Sequence, residues 1–315
     1  SIVASAKKKY IINKYQLLNP FVMTLAPVLL FTYNRPAHTK QTLDALLKNP
    51  LSKESTLFVF SDGYKNEMDR QQVEEVRSII RSLDGFKDIQ IRENAENKGL
   101  AANIIEGVTR VVDEYGKVIV VEDDLIASPF FLTFMNDVLN KFEKEKKIGH
   151  VHGYCYPNMG LPDLFLIKWT GSWGWGTWER AWKYFNPDGK YLLHELERRK
   201  LTKTFDFNGS YPYTRMLRRQ VKGENDSWAI RWNASLFLAD ILSANAGKSL
   251  VQNIGFDGTG THSGNKNIYI TDLYEGELAT EVSEIKENED ARRAFEQYYR
   301  KTNSFWAKVK RRLVK

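Results

Sequence analysis

Three consecutive carboxylates follow a hydrophobic run in the sequence, and they are the residues best suited to chemistry. The run Lys117-Val-Ile-Val-Val leads directly into Glu122, Asp123 and Asp124. Adjacent unpaired acids repel one another and raise each other's pKa unless a cation lies among them. Their oxygens suit a hard divalent ion, Mg²⁺ or Mn²⁺, which also takes substrate phosphates as ligands. The segment predicts a metal and diphosphate site, and the alternative is an acidic turn on the surface.

Residues elsewhere in the first third of the chain could contact the same ligand. Arg35 precedes a predicted helix, whose N-terminus already favours phosphate. Asp62 follows a second apolar run and could accept a hydrogen bond from a base or ribose. Lys98 and Asn103 surround the start of a third predicted helix and are further donor-binding candidates. The alternatives are a surface salt bridge for Arg35, a turn or helix cap for Asp62 and a solvated loop lysine for Lys98.

The elements that must position these residues alternate regularly over the first 125 positions. Four continuous apolar runs are typical of strands buried on both faces of a parallel sheet: Pro27–Tyr33, Thr56–Ser61, Asp88–Arg92 and Lys117–Glu122. Helical patterns follow at 37–48, 67–83, 99–115 and 129–146. The alternation predicts an α/β fold, a doubly wound, mixed but mainly parallel sheet with helices on both faces. Ligands bind such sheets beyond the carboxyl ends of the strands, where all the candidate residues above fall.

An aromatic segment between 169 and 185 holds five of the eight tryptophans. Within it, Trp173 and Trp175 alternate with glycines, which allow close backbone approach, and indole faces stack on sugar rings. These two residues are therefore candidates for an acceptor-binding wall. Trp178 and Trp182 are spaced four apart and are assigned to the core.

Charge and composition exclude several classes of protein. Of the 46 basic residues among 315, nine lie in 1–18 and 302–315, which contain no acid, so the middle of the chain is slightly acidic. A nucleic-acid-binding groove would need a basic body, and none is predicted. The single Cys155 excludes an internal disulfide and a cysteine-based zinc site. No apolar run approaches the roughly 18 residues of a membrane-spanning helix.

We predict one continuous catalytic domain with extensions at both ends. It divides into four segments: a basic extension at 1–26, a nucleotide-sugar-binding half at 27–127, an acceptor-binding half at 128–270, and an acidic connector with a basic amphipathic helix at 271–315. Apolar residues recur at helical spacing among the basic residues of 302–315, as in helices that lie on anionic membranes. This pattern predicts a cytoplasmic protein held at the inner face of the membrane, with a solvated tail as the alternative.

Four segments together resemble the glycosyltransferase A fold, and most closely the N-acetylglucosaminyltransferase I family and bacterial inverting transferases of similar build. The Val-Val-Glu-Asp-Asp-Leu run followed by Ala127-Ser-Pro-Phe-Phe131 resembles that family's metal motif. The four segments follow the family order and span about 27–264: Pro27–Pro36, Phe58–Gly63, Val118–Phe131 and Glu224–Gly264. The resemblance implies a Rossmann-related fold and an inverting transfer of a hexose, GlcNAc among the candidates, from a nucleotide-sugar donor, preferably UDP-linked. The acceptor would be a saccharide or lipid-linked saccharide in polysaccharide or glycan assembly.

The resemblance also assigns roles to individual residues. It places Arg35 and Asp62 on the nucleotide, and Glu122 and Asp123 on the donor sugar and ribose. It makes Asp124 the direct metal ligand.

Two further roles come from the second half of the chain. Asp226 falls on the segment that supplies the catalytic base, although Ser227 stands where the family segment has a second acid. His262, in a glycine-rich loop, could touch phosphate or metal. The alternatives are a helix N-cap for Asp226 and a plain surface residue for His262.

Two other functions compete with sugar transfer. A sugar-phosphate nucleotidyltransferase is also α/β and metal-dependent, but the expected glycine-rich loop is absent after the first strand. A carbohydrate-binding protein would use the tryptophans without any metal chemistry. Dinucleotide binding is excluded because no G-x-G-x-x-G follows the first strand.

Overall fold

The computed structural model describes residues 24–256 and 268–303. Its centre is an eight-stranded sheet with the order β3-β2-β1-β4-β8-β6-β9-β7. The strands of this sheet, in chain order, are β1 (Val28–Thr32), β2 (Thr56–Ser61), β3 (Asp88–Glu93), β4 (Lys117–Glu122), β6 (Ile148–His152), β7 (Leu164–Ile167), β8 (Trp175–Trp178) and β9 (Leu242–Ala246). A separate antiparallel pair joins β5 (Leu125–Ala127) to β10 (Val251–Asn253).

Helices pack around the sheet and complete the predicted α/β fold. They are α1 (Pro36–Leu47), α2 (Glu67–Arg81), α3 (Leu100–Tyr115), α4 (Phe131–Lys141), α5 (Glu179–Trp182), α6 (Gly189–Arg198), α7 (Thr202–Phe205), α8 (Tyr213–Val221), α9 (Trp228–Leu238) and α10 (Glu289–Asn303). The doubly wound, mainly parallel architecture predicted from the sequence is confirmed, and the first four helices begin within two residues of the predicted starts.

The first four strands of the sheet run parallel, so their carboxyl ends meet at one edge. β1 lies between β2 and β4, with Thr32 beside Ser61 and Phe31 beside Glu122. All five side chains of β1 are buried, and each fully buried aliphatic side chain contributes about 1.5–3 kcal/mol. This hydrophobic centre holds the polar residues that follow each strand in fixed positions at the edge.

Strand β3 departs from the prediction. Its sequence was expected to be buried on both faces, but β3 is the edge strand and most of its side chains are at least partly exposed, Ile91 among them. The physical reason is that β3 pairs only with β2 and has no second neighbour.

The second half of the sheet is mixed. β8 runs antiparallel to both β4 and β6, whereas β6 and β9 are parallel. Trp178 and Trp182 are both buried, as predicted, although Trp178 ends β8 and only Trp182 lies in a helix.

The last described helix, α10, packs against the body of the protein. It buries Ala291, Phe295 and Tyr299, and Phe295 contacts Trp169 edge to face. The predicted basic helix among 302–315 lies almost wholly outside the described residues. Across 24–256 and 268–303, no helix has the length and apolar character needed to cross a membrane.

Candidate active site

A cleft of about 440 Å³ opens at the carboxyl ends of β1, β2 and β4. The lining includes Arg35, Asp62, Asn103, Glu122 and Asp123. These are five of the residues that the sequence assigned to donor binding, and the parallel strands bring them together from four separate segments of the chain.

Arg35 is held in the cleft by the two acids that follow β4. It is the residue immediately before α1, and Pro36 occupies the first helical position. Its Nη2 lies 3.1 Å from Asp123 Oδ1 and 2.8 Å from Asp124 Oδ2. The Nη1 group is buried and has no hydrogen-bond partner. Burial disfavours the charged form of Arg35, but the carboxylates of Asp123 and Asp124 outweigh this effect and raise its pKa. The guanidinium therefore stays charged.

Glu122 and Asp123 lie in an environment that resists their ionisation. Burial, reinforced by Asp124 and Asp123, raises the pKa of Glu122 well above its usual value. Burial also raises the pKa of Asp123 to about 6, although Arg35 and the Tyr33 backbone N–H favour its charged form. A dense group of acids with raised pKa values is what a cation or cationic ligand would relieve.

The two carboxylate oxygens of Asp124 differ in their hydrogen bonding. Its Oδ2 accepts from Arg35, whereas Oδ1 is buried and without a partner. Gly255, just past β10, approaches so closely that a Cβ built there would lie 2.3 Å from Asp124 Oδ2. The β5–β10 pair fixes this approach, because the Ile254 N–H donates to the Asp124 carbonyl at 2.9 Å.

The Asp124 side chain fits a divalent metal of the Mg²⁺ type. Such ions are held by one or two carboxylates and complete their shell with water and substrate phosphates. The orphaned Oδ1 supplies one oxygen ligand of this kind. In the described part of the chain, no three acidic, histidine or cysteine side chains converge to enclose an ion.

Asp62 lines the cleft while holding its neighbouring loop. Its Oδ1 accepts from the Gly63 and Lys98 N–H groups and from Asn94 Nδ2, and its Oδ2 accepts from the Gly99 N–H at 3.0 Å. A carboxylate offers about four lone-pair sites, so Oδ2 keeps one for a ligand. Asp62 therefore fixes the loop that precedes α3 and can still accept from a nucleotide.

Lys98, in that loop, and Asn103, in the first turn of α3, differ in whether they line the cleft. The Lys98 ammonium pairs with Glu106 at 2.7 Å and is absent from the cleft wall, which favours the solvated-loop alternative over donor binding. Asn103 is buried and lines the cleft, where its Oδ1 accepts from Asn94 Nδ2 at 2.6 Å. Asn94 was not singled out from the sequence, although its place directly after β3 marked it as a candidate.

A second cavity, of about 330 Å³, lies beside the aromatic segment. Trp173 lines it and contacts Tyr154 edge to face at a centroid distance of 4.7 Å. Trp175 does not line it: this residue is fully buried and stacks on Trp228 and His150. The assignment of Trp175 to an acceptor wall was wrong, because β8 turns its indole into the core, whereas Trp173 precedes the strand.

Asp226 lies on the surface immediately before α9. Its side chain is 75% exposed and its Oδ1 accepts from Arg231 Nη2 at 2.8 Å. The N-cap of α9 is Ser227, whose Oγ accepts from the Ile230 N–H, so the cap alternative for Asp226 is wrong. Asp226 lines neither cavity, but Ile230, in the first turn of the same helix, lines the aromatic one.

His262, the second predicted metal contact, lies outside the described residues.

The aromatic cavity includes His152, which the sequence analysis did not select. Its signal was present in the segment Ile148–His152, because His150 and His152 alternate along a strand and so share one face.

A mainly parallel sheet with an acid-lined cleft at the carboxyl ends of its strands is the architecture of the glycosyltransferase A fold, which the sequence predicted. A family model described as glycosyl transferase family 2 matches residues 28–221, which is more than half of the chain. The protein belongs to glycosyl transferase family 2, and it is a glycosyltransferase.

Comparison with solved structures gives distant similarities. TarS from S. aureus matches at 16% identity and a TM-score of 0.31, over 42% of this chain and 22% of TarS. The mannosyltransferase PcManGT from Pyrobaculum calidifontis, solved with GDP-Man and Mn²⁺, matches at 11% identity and a TM-score of 0.34, over 76% of this chain and 85% of that one. A UDP-glucose pyrophosphorylase matches at 11% identity and a TM-score of 0.34, over 70% and 90%. A search of curated protein sequences found no match.

Proposed function

We propose that this glycosyltransferase uses Mn²⁺ or Mg²⁺ to transfer a sugar from a nucleotide diphosphate, preferably UDP, to a saccharide hydroxyl with inversion. The observation that carries the proposal is the pairing of two unsatisfied buried groups. Asp124 Oδ1 can take a cation and Arg35 Nη1 can donate to an anion, and both side chains lie against Gly255. Neighbouring sites of opposite sign are what a metal-bound diphosphate requires.

The residues of the cleft have separate tasks in this proposal. Arg35 donates to a phosphate oxygen and stabilises charge on the departing diphosphate. Glu122 and Asp123 line the same cleft as Arg35 and would accept hydrogen bonds from hydroxyls of the donor. Asp62 and Asn103 line the part of the cleft near the N-terminus of α3. A bound divalent ion, held by Asp124, would neutralise further charge on the diphosphate.

The acceptor side of the proposal rests on the aromatic cavity and on Asp226. Trp173 presents a partly buried indole to the cavity, which suits the apolar face of a sugar ring. In the proposed reaction Asp226 removes the proton from the acceptor hydroxyl as that hydroxyl attacks the anomeric carbon. One in-line displacement inverts the configuration and requires only one carboxylate in contact with the acceptor.

The proposed lipid-linked acceptor and the contact with an anionic membrane depend on the basic segments at the two ends of the chain. Residues 1–23 and 304–315 lie outside the described residues, so this part of the proposal rests on sequence alone.

The test is a donor screen with the purified protein. UDP-glucose, UDP-galactose, UDP-N-acetylglucosamine and GDP-mannose are each incubated with Mn²⁺, Mg²⁺ or a chelator, and release of nucleoside diphosphate is measured. We expect release of UDP from one donor, only with metal. The proposal would be overturned if none of the donors released nucleoside diphosphate. It would also be overturned if the protein formed pyrophosphate from a sugar phosphate and UTP.

A further inference from the structure

The aromatic cavity has a polar floor that the proposed chemistry does not use. Eight aromatic side chains surround it, and His152 lies among them with 1% of its surface exposed. No protein group in the described part of the chain forms a hydrogen bond of ordinary geometry with either ring nitrogen of His152, although the Asn245 side chain lies near enough to favour its charged form. Buried polar groups in proteins are nearly always hydrogen-bonded, so an unpartnered imidazole lining a cavity points to a ligand.

The surroundings of His152 keep its ring neutral and fixed. Burial lowers the pKa of His152 to about 3, and Asn245 on the neighbouring strand offsets this only in part. The Gly171 backbone lies against the ring so closely that a Cβ there would be 2.2 Å from Nε2. A neutral imidazole has one N–H donor and one lone-pair acceptor, which matches a hydroxyl group.

Three of the aromatic wall residues, Trp169, Tyr213 and Tyr154, have their polar ends already hydrogen-bonded. Trp169 Nε1 donates to the Tyr213 hydroxyl at 2.7 Å, and that hydroxyl lies 3.0 Å from the hydroxyl of Tyr299 on α10. The Tyr154 hydroxyl donates to the Tyr269 carbonyl at 2.9 Å. These contacts leave the ring faces, rather than the hydroxyls, to meet a ligand.

Asn233 is a second polar side chain on the cavity wall. It is buried, and its Oδ1 accepts from the Thr170 N–H at 3.0 Å, while its Nδ2 is a further donor group. A hydrocarbon chain would leave His152 unsatisfied, whereas a sugar hydroxyl would pair with it.

We propose that this cavity binds one pyranose ring of the acceptor, with an aromatic face against the ring and His152 hydrogen-bonded to one of its hydroxyls. The inference rests on the proposed function, because it names the chemical class of the group that accepts the sugar. His152 and Asn233 would then determine which hydroxyl pattern the enzyme accepts.

The experiment measures binding directly, without turnover. Methyl glycosides of glucose, galactose, mannose and N-acetylglucosamine are titrated into the full chain, with saturation-transfer NMR and tryptophan fluorescence as readouts. The variants are His152→Phe, His152→Gln and the control His150→Gln. His150 is equally buried in the same strand but does not line the cavity, and its Nδ1 accepts from Trp232 at 3.1 Å. Melting temperature and UDP–Mn²⁺ affinity are measured for each variant.

We expect wild-type protein to bind one of these glycosides and His152→Phe to weaken that binding by about tenfold, because a buried hydroxyl loses its partner. His152→Gln should recover part of the affinity, and His150→Gln should retain all of it. Absence of binding to all four glycosides, equal affinity in a folded His152→Phe, or displacement of the glycoside by farnesyl phosphate would overturn the inference. Glycoside binding by a protein that releases no nucleotide from any donor would refute the proposed function alone.

Discussion

Replacing Asp226 by asparagine separates a catalytic role from a structural one. The change removes the charge but keeps the size and one oxygen that can accept from Arg231. The present ion pair joins an Asp226 side chain that is 75% exposed to an Arg231 side chain that is 9% exposed. Arg231 also donates to the carbonyls of Ser227 and Pro187, so it keeps partners after the change.

The expected loss of stability is therefore small. Ion pairs with one well-exposed member contribute about 0–1 kcal/mol, which corresponds to a fall in melting temperature of no more than about 3 °C. A general base contributes about 10²–10⁴-fold to the rate. That factor equals about 2.7–5.5 kcal/mol of the activation barrier, which far exceeds the expected effect on folding.

The assay compares Asp226→Asn with a matched control. Asp240 is 80% exposed and has one ion pair, to Lys168, so its replacement should leave turnover unchanged. Asp240 has a φ of +59°, a conformation that asparagine tolerates, and the control should therefore fold. Asp206 is a poorer control because its Oδ1 already accepts from the N–H and the hydroxyl of Thr214.

The measurements are kcat with the donor identified by the screen, UDP–Mn²⁺ affinity and melting temperature. We expect only kcat to fall in Asp226→Asn, by about 10²–10⁴-fold. Turnover within a few-fold of wild type would refute the assignment of the base, and a product of retained anomeric configuration would refute the mechanism that requires it.

Three further predictions address the metal, the tryptophans and acid stability. Asp124→Asn should abolish the dependence of UDP affinity on Mn²⁺ in calorimetry while the protein stays folded; an unchanged dependence would exclude Asp124 as a ligand. Trp175→Ala should lower the free energy of unfolding by about 3–5 kcal/mol in urea denaturation because it empties a fully buried site, whereas Trp173→Ala should mainly raise the acceptor KM. His152 stays neutral in the folded protein, with a pKa of about 3, but takes up a proton below about 6.5 when unfolded. Its contribution should reduce stability by about 1.4 kcal/mol between pH 7.5 and 5.5, and His152→Gln should remove that part of the pH slope.

Local sequence determined the first half of the fold and selected polar residues that the structure brings to one cleft. The run Lys117–Glu122 has four apolar residues between a lysine and an acid, a pattern typical of a buried strand with charge at its carboxyl end. Gly116, with a φ of +78°, ends α3 at the point where the apolar run begins. Asp62 could be selected because it directly follows an apolar run, and Arg35 because it precedes a predicted helix that begins soon after one.

Tertiary structure alone decided which of the selected side chains reach a cavity. Trp173 and Trp175 both adjoin Gly174, but the pairing of β8 with β4 and β6 buries Trp175, whereas Trp173 precedes the strand and lines the cavity. The Lys98 backbone N–H is bound to Asp62, a contact across 36 positions, and the Lys98 side chain pairs with Glu106. Only the fold shows that His152 meets a cavity, because Gly171, Trp169 and Asn233 come from other parts of the chain. Side-chain periodicity specifies which face of a helix or strand a residue occupies. Long-range packing determines whether that face contacts the core, a cavity or solvent.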